Sequence, residues 1–138
     1  MNNSPIKKVN HLALLVEDID QAAAFWRDAL GLPMDPIEDV PQEQARVAFL
    51  PVGETKIELV QPTSSETGLG KYLEKRGAGI HHICLEVEDI EAALTDLKEK
   101  GVQLINPTPQ TRDSGTKYAF IHPKSAFGVL VELYQVPD

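Results

Sequence analysis

His11-Leu-Ala-Leu-Leu-Val-Glu-Asp-Ile-Asp20 and His82-Ile-Cys-Leu-Glu-Val-Glu-Asp-Ile-Glu91 are two versions of one stretch, offset by 71 residues (82 − 11). Val16, Glu17, Asp18 and Ile19 recur as Val87, Glu88, Asp89 and Ile90, and Ala22 recurs as Ala93. Each copy then runs about ten residues to a glycine, Gly31 or Gly101. Each half closes on an apolar stretch broken by one glutamate, Ile57-Glu58-Leu59-Val60-Gln61 and Val131-Glu132-Leu133-Tyr134-Gln135. Two copies are too few for a solenoid, so the repeat reads as a pseudo-twofold pair of modules.

The local signals agree between the copies. Residues 8–16 and 79–87 are apolar and rich in branched side chains, as buried strands are. Asp18 and Asp89 follow at the N-cap position of a helix, and Gln21 stands three residues after Asp18 as in a capping box. Ala22, Phe25, Trp26 and Leu30 make a helical apolar stripe, which puts Phe25 and Trp26 in the core; Ile90, Ala93, Leu94 and Leu97 match it. Gly31 and Gly101 suit the residue after the helix, where φ turns positive.

Three short strands are expected after each helix. Gly53 marks the turn between 45–51 and 55–61, and Pro33, Pro36 and Pro41 make the first strand of the set short or edge-like. Residues 62–78 read as a linker with a short helix near 69–75. The expected fold is α+β, a single domain over 1–138. Two tandem βαβββ modules, about 7–62 and 78–136, would form a curved mixed sheet around a metal cleft.

Composition narrows the function. At 138 residues the chain suffices for one domain with a real core, and its 42% hydrophobic and 25% charged residues are ordinary for a globular protein. No apolar run approaches the roughly 18 residues of a membrane span, and Met1-Asn2-Asn3-Ser4-Pro5 is too polar to begin a secretory signal. Cys84 is the only cysteine, so no internal disulfide forms and a reducing cytoplasm is the expected compartment. A net charge of −8 argues against nucleic acid or an anionic membrane as partner. It leaves room for a small anionic ligand, which Lys71, Lys75, Arg76, Arg112, Lys117 or Lys124 could meet.

Four side chains carry the chemistry. On alternating strands His11 shares a face with Ala13 and Leu15, and His82 shares one with Cys84 and Glu86. Glu58 and Glu132 interrupt apolar strands at matching places in the two halves. If the modules fold about the pseudo-twofold, these four converge on one concave face. A buried carboxylate without a partner costs several kcal/mol or neutralises, and a divalent metal with histidine and carboxylate ligands is one economical partner. A lone strand histidine is usually structural and a lone strand glutamate usually solvated; the repeated set favours a metal. His81 reads as a supporting residue, His122 beside Pro123 as a turn residue, and Cys84 as a buried filler.

These residues resemble the vicinal-oxygen-chelate superfamily, and within it the methylmalonyl-CoA epimerases, from Val9 to Gln135. The carriers are Asn10-His11-Leu-Ala, Gly53-Glu-Thr-Lys-Ile-Glu58-Leu, Gly79-Ile-His81-His82-Ile-Cys-Leu-Glu-Val, and His122-Pro-Lys-Ser125 followed by Gly128-Val-Leu-Val-Glu132-Leu. The superfamily's ligand positions fall on His11, Glu58, His82 and Glu132. Some epimerases have glutamine where this chain has Glu58, and bacterial glyoxalase I enzymes share the His-Glu-His-Glu set. Some epimerases also place a proton-transferring glutamate on the strand after the first helix; that position aligns with Ala48 here, with Glu43 the nearby carboxylate.

The resemblance implies epimerisation of (R)- and (S)-methylmalonyl-CoA through a metal-stabilised enolate. Glu132 would act as base, and Lys124 would meet the phosphates of coenzyme A. It implies one divalent ion, with cobalt, manganese, nickel, zinc and magnesium all compatible with these donors. It also implies a homodimer. The rival activities are glyoxalase I, a non-catalytic binding module of the same fold, and a ring-cleaving dioxygenase, which would use three protein ligands on iron.

Overall fold

A computed structural model describes residues 4–138. The elements follow the chain as β1 (Ile6–Leu15), α1 (Ile19–Ala23, continued by a π-helical segment Ala24–Ala29), β2 (Glu38–Val40), β3 (Ala45–Val52), β4 (Thr55–Pro62), α2 (Gly68–Arg76), β5 (Gly79–Val87), α3 (Ile90–Glu99), β6 (Gln110–Thr111), β7 (Lys117–Ile121) and β8 (Val131–Gln135). Short 3₁₀ turns at Pro41–Glu43 and Pro123–Ala126 precede β3 and β8. The class is α+β, and the βαβββ pattern occurs twice.

These elements fall into two compact units. One joins the described residues up to Asn10 with His82–Asp138; the other is His11–His81. The boundary runs inside β1 and inside β5, so each strand serves both units.

In the His11–His81 unit the strand order is β2-β3-β4-β1. β4 lies parallel to β1, with Ala13 beside Glu58, and antiparallel to β3, with Phe49 opposite Glu58. Alternation splits the side chains between two faces. Ala48, Leu50 and Leu59 pack with Ile19 of α1, joined by Leu14, Val16 and Trp26. Ala13, Leu15, Val47 and Val60 lie on the other face, with Phe49 and with Leu69, Tyr72 and Leu73 of α2.

The second unit repeats the plan in the order β5-β8-β7-β6, with β8 parallel to β5 and antiparallel to β7. Val87, Ile90, Ala93, Leu94, Ala119, Ile121 and Leu133 make its core against α3. The N-terminal segment belongs here as well: Ser4 Oγ accepts the Asp89 N–H at 2.8 Å, and Lys7 pairs with the buried Glu86 at 3.6 Å.

The helix starts follow expectation. Asp18 accepts from the Gln21 N–H at 3.2 Å and Asp89 from the Ala92 N–H at 3.1 Å. Gly31 and Gly101 both take φ of 79° after their helices. β2 is a three-residue edge strand, and α2 lies on the expected short-helix segment.

Phe25 is a correction. It is 53% exposed and Leu30 52% exposed, although both fit the apolar stripe. From Ala24 the helix winds as a π-helix, and the Leu30 N–H bonds back to the Phe25 carbonyl, five residues earlier. The wider turn rotates Phe25 and Leu30 off the face that Trp26 still buries.

Candidate metal centre

Each unit brings together one histidine and one carboxylate. In the His11–His81 unit, His11 Nε2 stands 3.4 Å from Glu58 Oε1. In the other, His82 Nε2 stands 3.0 Å from Glu132 Oε1. Both pairs follow from register. A residue on the first strand of each module faces a glutamate on the parallel last strand, with a small residue, Ala13 or Cys84, beside that glutamate.

An aromatic ring completes each pair in the same way. Phe49 lies opposite Glu58 across β3 and β4, and its ring meets His11 edge-on at 6.2 Å. Phe120 lies opposite Glu132 across β7 and β8 and meets His82 edge-on at 5.4 Å. Edge-to-face packing fixes the plane of an imidazole as well as burying it. Neither phenylalanine stood out in the sequence, although Phe49 and Phe120 are separated by the same 71 residues (120 − 49) as the histidines.

The donor sets fit a divalent cation. Two ligand atoms about 2.1 Å from an ion stand about 3.0 Å apart at right angles and about 3.4 Å apart at tetrahedral angles. The observed 3.0 and 3.4 Å match that span. His11 is 3% and Glu132 1% exposed, so both sets of donors sit where an unpaired charge would be costly.

Glu132 has a second partner. Arg112 Nη2 approaches its other oxygen, Oε2, at 3.3 Å. The guanidinium lies 4.1 Å above the Tyr118 ring and 5.8 Å from that of Tyr134. Tyr134 itself is driven above the ordinary phenol range, first by burial and next by the Glu132 charge, with Arg112 pulling the other way. It is therefore a neutral hydroxyl at neutral pH.

Glu86 is a further buried carboxylate on the His82 face of β5. Asn10 Nδ2 donates to it at 2.9 Å, and Lys7 offsets its charge. The other expected residues fall as follows. His122 caps the 3₁₀ turn by accepting the Lys124 N–H at Nδ1, 3.0 Å away, and the Lys124 side chain is exposed on that turn. His81 packs edge-on against Tyr72 at 4.8 Å, and Cys84 is wholly buried. Ala48 pairs with Leu59 on the α1 face of its sheet, so the β3 positions that share the Glu58 face include Val47 and Phe49. Glu43 ends the 3₁₀ turn before β3.

Residues 10–120 match the glyoxalase/bleomycin resistance protein/dioxygenase superfamily. The chain is 42% identical over 133 residues to the ethylmalonyl-CoA/methylmalonyl-CoA epimerase of Cereibacter sphaeroides, covering 95% of this chain and 99% of that one. It is 38% identical over 137 residues to the mitochondrial methylmalonyl-CoA epimerase of Mus musculus, covering 96% and 77%. Its fold superposes on a methylmalonyl-CoA epimerase solved in complex with methylmalonyl-CoA and ammonium, with a TM-score of 0.85 at 29% identity, covering 96% of each chain. A probable lactoylglutathione lyase of Synechocystis is more distant, at 28% over 125 residues.

Proposed function

The chain belongs to the glyoxalase/bleomycin resistance protein/dioxygenase superfamily and, within it, to the methylmalonyl-CoA epimerases, and from that premise we propose that it interconverts the C2 epimers of methylmalonyl-CoA. The observation that carries the reading is Glu132, a buried carboxylate with one oxygen toward an imidazole and the other toward a guanidinium. Such a group is fixed in direction and shielded from water, as a base for a weakly acidic carbon must be.

C2 of the substrate lies between a thioester and a carboxylate. Glu132 takes the C2 proton, and the bonding pair moves toward the thioester oxygen. A second acid, distinct from Glu132, must deliver a proton to the opposite face of C2 to invert the centre, while Glu132 loses the proton it took to solvent. His11, Glu58, His82 and Glu132 together would hold one divalent cation. When bound, that cation supplies a Lewis acid for the negative charge that develops on substrate oxygen. Glu132 thus serves as ligand and base, while His11, Glu58 and His82 orient.

Lys124, exposed on the turn before β8, suits the phosphates of the coenzyme A tail. The named activity of the Cereibacter relative extends to ethylmalonyl-CoA, so a C2 side chain of one or two carbons is the expected range. Among the described residues no helix is long and apolar enough to cross a membrane. With Cys84 as the only cysteine, a reducing cytoplasm remains the expected setting, and a homodimer the expected assembly.

The test is deuterium incorporation. Metal-replete protein in heavy water should place deuterium at C2 of methylmalonyl-CoA far above the uncatalysed rate, and should leave a glutathione hemithioacetal unchanged. Glu132→Gln should lower exchange by about 100-fold or more. Turnover of the hemithioacetal without C2 exchange would replace the epimerase with a glyoxalase.

A further inference from the structure

We propose that Arg112 is a positioning residue that sets the plane of the Glu132 carboxylate and so aims the base. The inference rests on the epimerase reading above and goes beyond it by naming the residue that orients Glu132.

Arg112 opens the turn between β6 and β7, whose backbone is closed by the Arg112 N–H to the Thr116 carbonyl and the Gly115 N–H to the Arg112 carbonyl, both 2.9 Å.

Placement of the guanidinium is over-determined. Tyr118 and Tyr134 are directly opposite each other on β7 and β8, and Arg112 lies above both rings. Cation–π contact with two rings leaves the Nη2 donor aimed at Glu132 Oε2. His82 meets Oε1 at 3.0 Å. Arg112 bonds Oε2 while His82 stands beside Oε1, so the carboxylate is approached from two sides and its rotation about the last bond is restrained. A guanidinium is suited to this because it is planar, permanently charged and forked, whereas an ammonium is a point charge.

Two measurements test it, and the first needs neither metal nor substrate. In metal-free protein a double-mutant cycle on Arg112→Ala and Glu132→Gln, read as urea midpoints, should be non-additive, with the double variant more stable than the summed single shifts predict. Additive midpoints would overturn the proposal.

The second is kinetic. Arg112→Ala should lower kcat about 10- to 100-fold, the usual cost of losing an outer partner of a ligand. KM should stay within about twofold and metal content should be unchanged. Arg112→Lys should recover only part of the loss, and millimolar guanidinium should restore activity to Arg112→Ala. A raised KM with unchanged kcat would make Arg112 a substrate-binding residue and overturn its positioning role. Wild-type protein that fails to exchange C2 while the cycle shows coupling would sink the epimerase reading separately, reducing the ion pair to a structural one.

Discussion

The side-chain carbonyl of Gln135 accepts the backbone N–H of Ile90 at 2.8 Å, tying the end of the Glu132 strand to the first turn of α3. Gln61 makes the same bond to Ile19 at 2.9 Å, at the end of the Glu58 strand and the start of α1. Both glutamines stand three residues after a proposed ligand. Helix N-termini leave their first N–H groups without intrahelical partners, and here a ligand-bearing strand supplies one. The device couples helix docking to the position of each carboxylate.

Replacing Gln135 by leucine keeps the bulk and leaves the buried Ile90 N–H unsatisfied. The expected cost is about 1–3 kcal/mol in unfolding free energy, with a similar loss for Gln61→Leu. Chemical denaturation of the two variants measures both. Equal stability of Gln135→Leu and wild type would show that the bond contributes nothing net.

Phe120→Leu removes the ring edge from His82 while keeping an apolar filler. It should cost about 0.5–1.5 kcal/mol of stability and weaken cation binding by about tenfold or more, because the imidazole plane is no longer fixed. Phe49→Leu should show the same pattern with a smaller effect, since its ring centroid is farther from His11. Calorimetric titration with a divalent cation distinguishes the two from wild type.

Gly70 and Gly68 lie two residues apart in α2 and should respond in opposite directions. A Cβ at Gly70 would collide with the Ser64 carbonyl oxygen and stand 2.7 Å from the Ser65 Cα. Those are backbone atoms, so the loop before α2 must shift, and Gly70→Ala should cost about 1–3 kcal/mol. At Gly68 the Cβ meets nothing within 4 Å, and Gly68→Ala should gain about 0.4–1 kcal/mol. Thermal midpoints of the two single variants suffice.

Much of this architecture can be read from the chain because its signals are local and repeated. Asp18, Asp89, Gly31 and Gly101 announce helix ends within a few residues, and the 71-residue offset pairs His11 with His82 without any knowledge of packing. The π-helical segment escapes such reading, since Phe25 fits a 3.6-residue stripe and only the Leu30-to-Phe25 bond reveals the wider turn. Ala48 illustrates a sharper limit. A strand reverses its facing at each residue, so placing a catalytic position on β3 from sequence alone is undone by a one-residue error, and the Phe49–Glu58 register is what assigns the faces. Arg112 was visible only as one cation among several. Its pairing with Glu132, 20 residues away, depends on a hairpin turn and two opposed tyrosines.

In the proposed centre His11, Glu58, His82 and Glu132 would serve a single cation. Titration of metal-free protein with a divalent ion, followed by calorimetry and by C2 exchange in the same samples, tests it directly. Both signals should saturate at about one ion per chain, with His11→Ala and His82→Ala each abolishing the whole binding event. Two independent ions per chain, or full stoichiometry retained by either variant, would contradict it.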